Sequence, residues 1–278
     1  MNTWKTRTCK TNGIAMHYTR TGGDKPLVIL LHGLTAEGAS WTPVARALEK
    51  DYDLIMADAR GHGLSTAPDH GYSYPDHARD LAGLIASVAT PPVALVGHSM
   101  GGMTAALFAS LHPTALGSLV LVDPSFLSAG VQQEVHESDI REQHRKLLDR
   151  PVGEIEADLA KRHPGRSREM IRLIARARLR TETAAFEVLA PPVPDYRELV
   201  KRVRVPILLV LADRGVVSPA AAEELQRLNP LVRVSRIVNA GHGIPYDQPK
   251  ELAAVISAFV SSVARRDRHD VSPGELPG

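Results

Sequence analysis

The sequence predicts an α/β protein with a mostly parallel, doubly wound sheet and a helical insertion. Short apolar runs alternate with segments of helical periodicity in both the first and the last third of the chain. Between residues 124 and 206 the alternation stops, charged residues dominate, and helical patterns follow one another without a strand-like run. With 278 residues, 44% of them hydrophobic, the chain is long enough for one large domain that carries such an insertion.

Seven apolar runs are short enough for strands and are separated by turn residues. They are residues 14–18, 27–31, 54–57, 93–96, 119–122, 207–211 and 232–238. Thr11-Asn12-Gly13 precedes the first run and is typical of a hairpin turn, which predicts antiparallel pairing at the start of the sheet.

Helical patterns lie between the strands and fill the insertion. Those between strands cover residues 41–50, 76–88, 100–111, 219–228 and 249–264, and several open on proline or a capping residue. Those in the insertion cover residues 135–148, 152–161, 167–180 and 183–189. We therefore assign residues 1–123 and 207–265 to the core, 124–206 to a helical lid over the carboxyl ends of the strands, and 266–278 to a flexible tail.

Composition excludes several classes of function. A formal net charge of +2 without a basic cluster gives no reason to expect a nucleic-acid partner. One cysteine, Cys9, excludes an intramolecular disulfide and fits a reducing compartment. No run approaches the ~18 apolar residues of a membrane span, and the N-terminus lacks the apolar core of a signal peptide. We expect a cytoplasmic monomer or homodimer without a metal or organic cofactor.

Gly97-His98-Ser99-Met100-Gly101 is the most informative motif. It stands between a predicted strand and a predicted helix, where glycines on both sides relieve the crowding of a sharp turn. Such a turn holds Ser99 in a strained conformation with its hydroxyl at the carboxyl edge of the sheet, so Ser99 is the candidate nucleophile. We expect His98 to point away from that hydroxyl and to support packing.

A serine nucleophile needs a base and donors for the developing oxyanion. His242, in a loop directly after the last strand, is the candidate base. The backbone N–H groups of Leu34 and Met100 are the candidate donors. Gly33 lets the chain approach the substrate closely, and the polar segment 58–65 is interpreted as bracing for these loops.

With these motifs the chain resembles the α/β-hydrolase superfamily over nearly its whole length. The resemblance implies an acid that orients His242, usually placed after the seventh strand, but here Gly215 holds that position and Asp213 stands two residues earlier. Some ester- and lactone-hydrolysing members place the acid after the sixth strand, where this chain has Asp123. We favour Asp123, because it directly follows a strand end, and keep Asp213 as the alternative.

The resemblance implies a hydrolase that cleaves a small-molecule carboxylic ester or lactone through an acyl-enzyme. A serine at the elbow argues against the dehalogenase and epoxide-hydrolase branches, which use a carboxylate nucleophile. Amide, thioester and carbon–carbon bond hydrolysis remain alternatives, as does a ligand-binding or tailoring protein without hydrolytic activity.

Two further groups of residues bear on the substrate. Gly33, Phe126 and Trp41 are expected to line a pocket, and Phe186 and Tyr246 are further candidates, with burial in a core as the alternative for the aromatic residues. Arginines at 168, 172, 176 and 180 form one stripe of a predicted helix. We interpret this stripe as a solvated face, with the binding of an anionic substrate group as the alternative.

Overall fold

An eight-stranded sheet forms the centre of the computed structural model, which describes residues 4–269, without the side chains of 266–269. The strands are β1 (Lys5–Thr11), β2 (Ile14–Arg20), β3 (Leu27–Leu31), β4 (Asp53–Ala57), β5 (Val93–His98), β6 (Leu116–Val122), β7 (Ile207–Arg214) and β8 (Val232–Gly241). Their spatial order is β1-β2-β4-β3-β5-β6-β7-β8. All pairs from β4 to β8 are parallel, so the predicted fold class is confirmed.

The first two strands form the antiparallel edge of the sheet. Asn12 and Gly13 both have positive φ, 42° and 80°, as a tight hairpin turn requires. The turn joins β1 to β2 with Thr11 opposite Ile14, and β2 then pairs antiparallel with β4. The predicted hairpin is thus present.

Helices cover both faces of the sheet and fill the long connection between β6 and β7. They are α1 (Thr42–Leu48), α2 (Tyr74–Val88), α3 (Met100–Leu111), α4 (Ala129–Glu137), α5 (Ile140–Leu148), α6 (Val152–Arg162), α7 (Arg168–Leu179), α8 (Tyr196–Arg202), α9 (Pro219–Leu228), α10 (Ile244–Asp247) and α11 (Pro249–His269). Two 3₁₀ segments, Gly38–Trp41 and Thr183–Leu189, complete the elements.

Strand side chains alternate between two hydrophobic cores. In β3, Ile29 packs in the core beneath α2 and α3, while Val28 and Leu30 pack in the core beneath α1 and α11. All three side chains are fully buried. Apolar residues at every position of a strand are expected where both faces of a parallel sheet are covered, which is why the sequence shows continuous apolar runs instead of alternation.

Strand β1 and the short helix α10 lie outside the predicted runs, and the structure differs from the predicted elements at further places. Residues 41–50 are not one helix, because a 3₁₀ segment precedes α1. Residues 135–148 divide into α4 and α5, because Ser138 is extended, with ψ 164°, and ends α4. Helix α8, only seven residues long, was not predicted. Helix α11 continues to His269, so the tail expected to begin at residue 266 is helical at its start, and residues 270–278 lie outside the described part.

The connection between β6 and β7 contains a small core of its own. Ile155 and Leu159 of α6 pack against Met170, Ile171 and Ile174 of α7, and all five side chains are buried. A helical hairpin with its own core can hold side chains over the neighbouring sheet edge as a unit. Within residues 4–269, no helix is both long and apolar enough to cross a membrane.

Candidate active site

Ser99 stands on a strained turn between β5 and α3. Its φ of 53° and ψ of −119° are backbone angles that residues other than glycine rarely adopt. A side chain at Gly97 would collide with the carbonyl of Gly101, and one at Gly101 would lie 2.5 Å from the carbonyl oxygen of Leu31. The glycines of the motif are therefore required by close backbone contacts.

Ser99, His242 and Asp123 form one hydrogen-bonded chain. The Nε2 atom of His242 lies 2.9 Å from Oγ of Ser99, and its Nδ1 atom lies 2.6 Å from Oδ2 of Asp123. The Asp123 carboxylate accepts a hydrogen on Nδ1, which leaves the Nε2 lone pair directed at the serine hydroxyl. The structure thus brings together the predicted nucleophile, base and favoured acid.

Backbone donors hold the Asp123 carboxylate in place. Its oxygens accept hydrogen bonds from the N–H groups of Val216, at 2.9 and 3.0 Å, and Val217, at 3.0 Å, and its side chain is fully buried. Gly215 makes this arrangement possible, because a Cβ there would lie 2.6 Å from Oδ1 of Asp123. The position where the family usually places its acid is therefore filled by the carboxylate of Asp123, which reaches across from the neighbouring strand.

Asp213, the alternative acid, has other partners. Its carboxylate lies 2.7 Å from the guanidinium of Arg236 and accepts a hydrogen bond of 2.7 Å from the N–H of Asn239. These contacts, the N–H first, lower the pKa of Asp213. Because the ladder between β7 and β8 shifts register at Ala212 and Arg214, the carboxylate joins the β8 side and does not contact His242.

His98 supports the loop that carries His242. Its Nε2 atom lies 2.8 Å from the carbonyl oxygen of His242, and since a carbonyl only accepts, Nε2 must carry the hydrogen. The two rings lie 5.0 Å apart. Burial, followed by the nearby charge of His242, lowers the pKa of His98 to about 3, so this ring stays neutral. His98 therefore supports the loop that carries His242 and makes no hydrogen bond with the Ser99 hydroxyl.

Ser125 is a neighbour of Ser99 that sequence reasoning missed. Its Oγ lies 3.2 Å from Oγ of Ser99, and its N–H donates to the Ser99 carbonyl. When Ser99 donates to His242, the hydroxyl of Ser125 is the one that donates to Ser99. The phenol of Tyr74 forms a hydrogen bond with Ser125 in turn. Tyr74 is buried, and this burial raises the pKa of its phenol. Ser125 lies two residues after Asp123, and no motif in the sequence indicates this contact.

The loop after β3 closes the other side of Ser99. A Cβ at Gly33 would lie 2.9 Å from the Cβ of Ser99, so only glycine permits this approach. Leu34 follows and lines the cavity beside Ser99. Met100 is the first residue of α3, so its N–H has no acceptor within the helix. Leu34 and Met100 thus flank the serine, and the oxyanion role of their N–H groups stays a prediction.

Segment 58–65 braces these loops, in agreement with its interpretation. The carboxylate of Asp58 accepts hydrogen bonds from the N–H groups of Gly38, at 2.6 Å, and Leu64, at 2.9 Å, and lies 2.9 Å from Nδ1 of His17. The guanidinium of buried Arg60 pairs with Asp80 at 2.5 Å. The side chains of His17, Asp58, Arg60 and Asp80 do not line the cavity at Ser99.

A cavity of about 480 Å³ opens above Ser99 and His242. Gly33 lines it, but Trp41 and Phe126 do not, which corrects the expectation for both aromatic residues. Trp41, 1% exposed, packs in the core beneath α1 and α11. Phe126, 5% exposed, stacks on Tyr196 with ring centroids 4.7 Å apart. Both side chains follow loops of the site, but hydrophobic burial turns them into the cores.

The arginines that reach the cavity are not those of the predicted stripe. Arg176 and Arg180 instead pair with the buried carboxylate of Glu37, at 2.6 and 3.5 Å. The cavity is lined by four other arginines, at positions 162, 166, 178 and 214. Among residues 4–269, no group of three or more histidine, cysteine, aspartate or glutamate side chains is arranged to hold a metal ion.

Comparison with known proteins gives the same assignment as the fold. The family model for the alpha/beta hydrolase fold matches residues 26–249. The chain is 29% identical to a 2-(acetamidomethylene)succinate hydrolase of Mesorhizobium japonicum, over 87% of this chain and 91% of that protein. It is 31% identical to an N-formylmaleamate deformylase of Pseudomonas putida, over 90% and 94% of the two chains.

Solved structures extend the likeness to three dimensions. The crystal structure of an E-2-(acetamidomethylene)succinate hydrolase superposes with a TM-score of 0.81 and 26% identity, and the match covers 93% of this chain and 99% of that one. The hydrolase and the deformylase each match nearly the whole length of this chain. The chain belongs to the alpha/beta hydrolase family.

Proposed function

We propose that this protein is a serine hydrolase in which Ser99, His242 and Asp123 act as the catalytic triad on a small-molecule carboxylic ester or lactone. The observation that carries the proposal is the continuous hydrogen-bonded chain from Ser99 Oγ through His242 to Asp123, at 2.9 and 2.6 Å, at the base of a cavity. The strained backbone at Ser99 supports it, since such strain concentrates at functional positions.

The first half-reaction forms an acyl-enzyme. His242 Nε2 removes the hydroxyl proton as Ser99 Oγ attacks the carbonyl carbon, and Asp123 stabilises the resulting imidazolium. The N–H groups of Leu34 and Met100 stabilise the oxyanion of the tetrahedral intermediate. When the bond to the leaving oxygen breaks, His242 gives its proton to that oxygen, which departs as an alcohol.

The second half-reaction releases the carboxylic acid product from Ser99. A water molecule gives a proton to His242 Nε2 and attacks the acyl carbon, and a second tetrahedral intermediate uses the same two N–H donors. The bond to Ser99 Oγ then breaks, and the proton returns from His242 to Ser99. The cycle needs no redox partner.

Amide cleavage is the second candidate, because the names of two relatives favour it. One is a deformylase that acts on N-formylmaleamate, and the other hydrolyses 2-(acetamidomethylene)succinate. An ester differs from an amide because its alcohol leaving group departs with less help from a proton donor than an amine does. The position of Asp123 after β6, which the resemblance connects with ester and lactone hydrolysis, keeps the ester or lactone first.

The test combines labelling and turnover. Wild-type protein should react with a fluorophosphonate probe at Ser99 and should hydrolyse at least one member of a panel of esters, lactones and N-acyl amides. Ser99→Ala should lose labelling and ~10⁶-fold in turnover, the loss typical of a triad nucleophile, with an unchanged circular dichroism spectrum. Turnover above a tenth of wild type in the folded variant would contradict the proposal. A protein that binds ligands without turnover would support a binding protein instead.

A further inference from the structure

Arg178 is a charged side chain of the cavity without an ionic partner. It lies on α7, is partly buried, and lines the cavity with Ser99 and His242. In the described part of the chain, no carboxylate or carbonyl oxygen accepts a hydrogen bond from its guanidinium. A guanidinium removed from water without a counter-ion is costly, and buried charges are normally paired.

Neighbouring arginines increase that cost. Burial, then the nearby charges of Arg162 and Arg166, lowers the pKa of Arg178. Arg166 has a counter-ion, since its Nε lies 2.7 Å from Oδ1 of Asp247. Arg162, at the end of α6, lines the same cavity, and within residues 4–269 it too lacks an ion pair. Arg178 is therefore a partly buried positive charge that no carboxylate of the described residues pairs with, and Arg162 adds a second, exposed guanidinium to the same cavity.

Unlike Arg178, several other arginines of the insertion have an ionic partner. Arg176 and Arg180 share Glu37, Arg150 lies 2.8 Å from Asp158, and Arg145 lies 2.8 Å from Glu142. Exposed arginines such as Arg172 need no partner. Arg178 differs from both groups because it is partly buried, unpaired and directed into a cavity.

The position of Arg178 defines where an anion would bind. Thr35, Arg162 and Arg178 line both the cavity above Ser99 and a neighbouring cavity of about 440 Å³ beneath α5. An anionic group at this boundary would sit in the same cavity system as the nucleophile. Arginine binds carboxylates through paired N–H donors, so a carboxylate fits the group that is missing.

We propose that Arg178, with Arg162, binds the carboxylate of an organic-acid substrate whose scissile carbonyl group lies at Ser99. The substrate class is thus an acyl compound that carries a second, ionised carboxyl group. This inference rests on the proposed function for the position of the scissile bond, whereas the carboxylate site itself does not depend on turnover.

Two esters of equal chain length test specificity. 4-Nitrophenyl hemiglutarate carries a terminal carboxylate, and 4-nitrophenyl valerate has a methyl group in its place, with the same leaving group. Wild type should have the higher kcat/KM for the hemiglutarate, after correction for spontaneous hydrolysis. Arg178→Gln should lower the ratio of the two kcat/KM values by on the order of 10²-fold, as expected for loss of one partner of a desolvated charge pair. The control Arg172→Gln, a solvated arginine of the same helix, should keep the ratio.

Direct binding separates this inference from the proposed function. Titration calorimetry of glutarate into Ser99→Ala protein should show binding that Arg178→Gln removes and Arg172→Gln retains, whether or not the wild type hydrolyses either ester. Preference of wild type for the valerate, or equal glutarate binding with and without Arg178, would overturn the carboxylate site. Tighter binding of inorganic phosphate than of glutarate would overturn its assignment to a carboxylate.

Discussion

Gly215→Ala is the most informative single substitution, because it adds one methyl group against the acid of the proposed triad. The new Cβ would lie 2.6 Å from Oδ1, 2.8 Å from Oδ2 and 2.9 Å from Cγ of Asp123. Contacts below about 3.0 Å are strongly repulsive, so the carboxylate must move by roughly 0.5 Å or more. Gly215 is not among the glycines with positive φ, so its backbone accepts alanine.

The displacement has a defined chemical consequence. The carboxylate is held by the N–H groups of Val216 and Val217 and lies 2.6 Å from His242 Nδ1, so it cannot retreat without lengthening at least one of these contacts. If the contact to His242 is lost, the ring no longer has a fixed tautomer or orientation. Removal of that function in a serine-protease triad costs ~10⁴-fold in kcat, and partial displacement should cost ~10²-fold or more.

The assay compares kcat for the best ester substrate with labelling by a fluorophosphonate. Gly215→Ala should lower both, with a loss of stability of about 1–3 kcal/mol from overpacking. Gly153→Ala is the matched control, because beyond the backbone of its own helix no atom lies within 4 Å of its added Cβ, and it should keep full activity. A kcat of Gly215→Ala within threefold of wild type, in a folded protein, would refute the reasoning.

Three further predictions follow from the same geometry. Asp123→Asn should lose ~10²-fold or more in kcat while Asp213→Asn loses little, because only Asp123 contacts His242; the reverse ranking would give the role to Asp213. Ser125→Ala should lower kcat and labelling by about three- to tenfold, the value of one hydrogen bond, whereas Ser110→Ala, whose hydroxyl bonds Leu107 in α3, should not; equal effects would refute a positioning role. Burial lowers the pKa of His77 and His98 from 6.5 to about 3, so below pH 6.5 the unfolded chain binds protons that the folded chain does not. Each histidine should reduce the free energy of unfolding by about 1 kcal/mol for each pH unit that the pH falls between 6.5 and 3. Urea titrations at pH 7.5 and 5.5 should give a smaller difference in the free energy of unfolding for His77→Gln than for wild type. An equal difference in the two proteins would contradict this account.

The fold and the proposed nucleophile and base could be predicted because they depend on local chemistry. Apolar runs separated by turn residues encode strands, and Gly-x-Ser-x-Gly encodes a turn whose glycines are required by backbone contacts within a few residues. His242 follows the last strand, and the carboxyl ends of parallel strands meet at one edge. Sequence position therefore places Ser99 and His242 at the same edge.

The tertiary structure shows which of Asp123 and Asp213 contacts His242. Asp123 directly follows β6 and Asp213 lies near the end of β7, so both are at that edge, and the position of Asp123 after a strand end gave it only a preference. The register shift between β7 and β8 turns Asp213 toward Arg236, and the absent side chain of Gly215 leaves the space that Asp123 fills. The contact of Asp213 with Arg236 depends on β8, and the position of Asp123 beside Gly215 depends on β6 and β7 together. Neither is encoded in one segment of the sequence.

The sequence by itself determined the sheet, the elbow and the basic character of the insertion, while only the tertiary structure decided which basic residues face the cavity. Arg168, Arg172, Arg176 and Arg180 recur every four residues and so share one face of a helix. Arg178 lies two residues from Arg176, about 200° around that helix, and packing of α7 against α5, α6 and the 3₁₀ segment Gly38–Trp41 turns this other face toward the cavity. Periodicity shows which residues share a face, but the direction of that face is fixed by what the helix packs against.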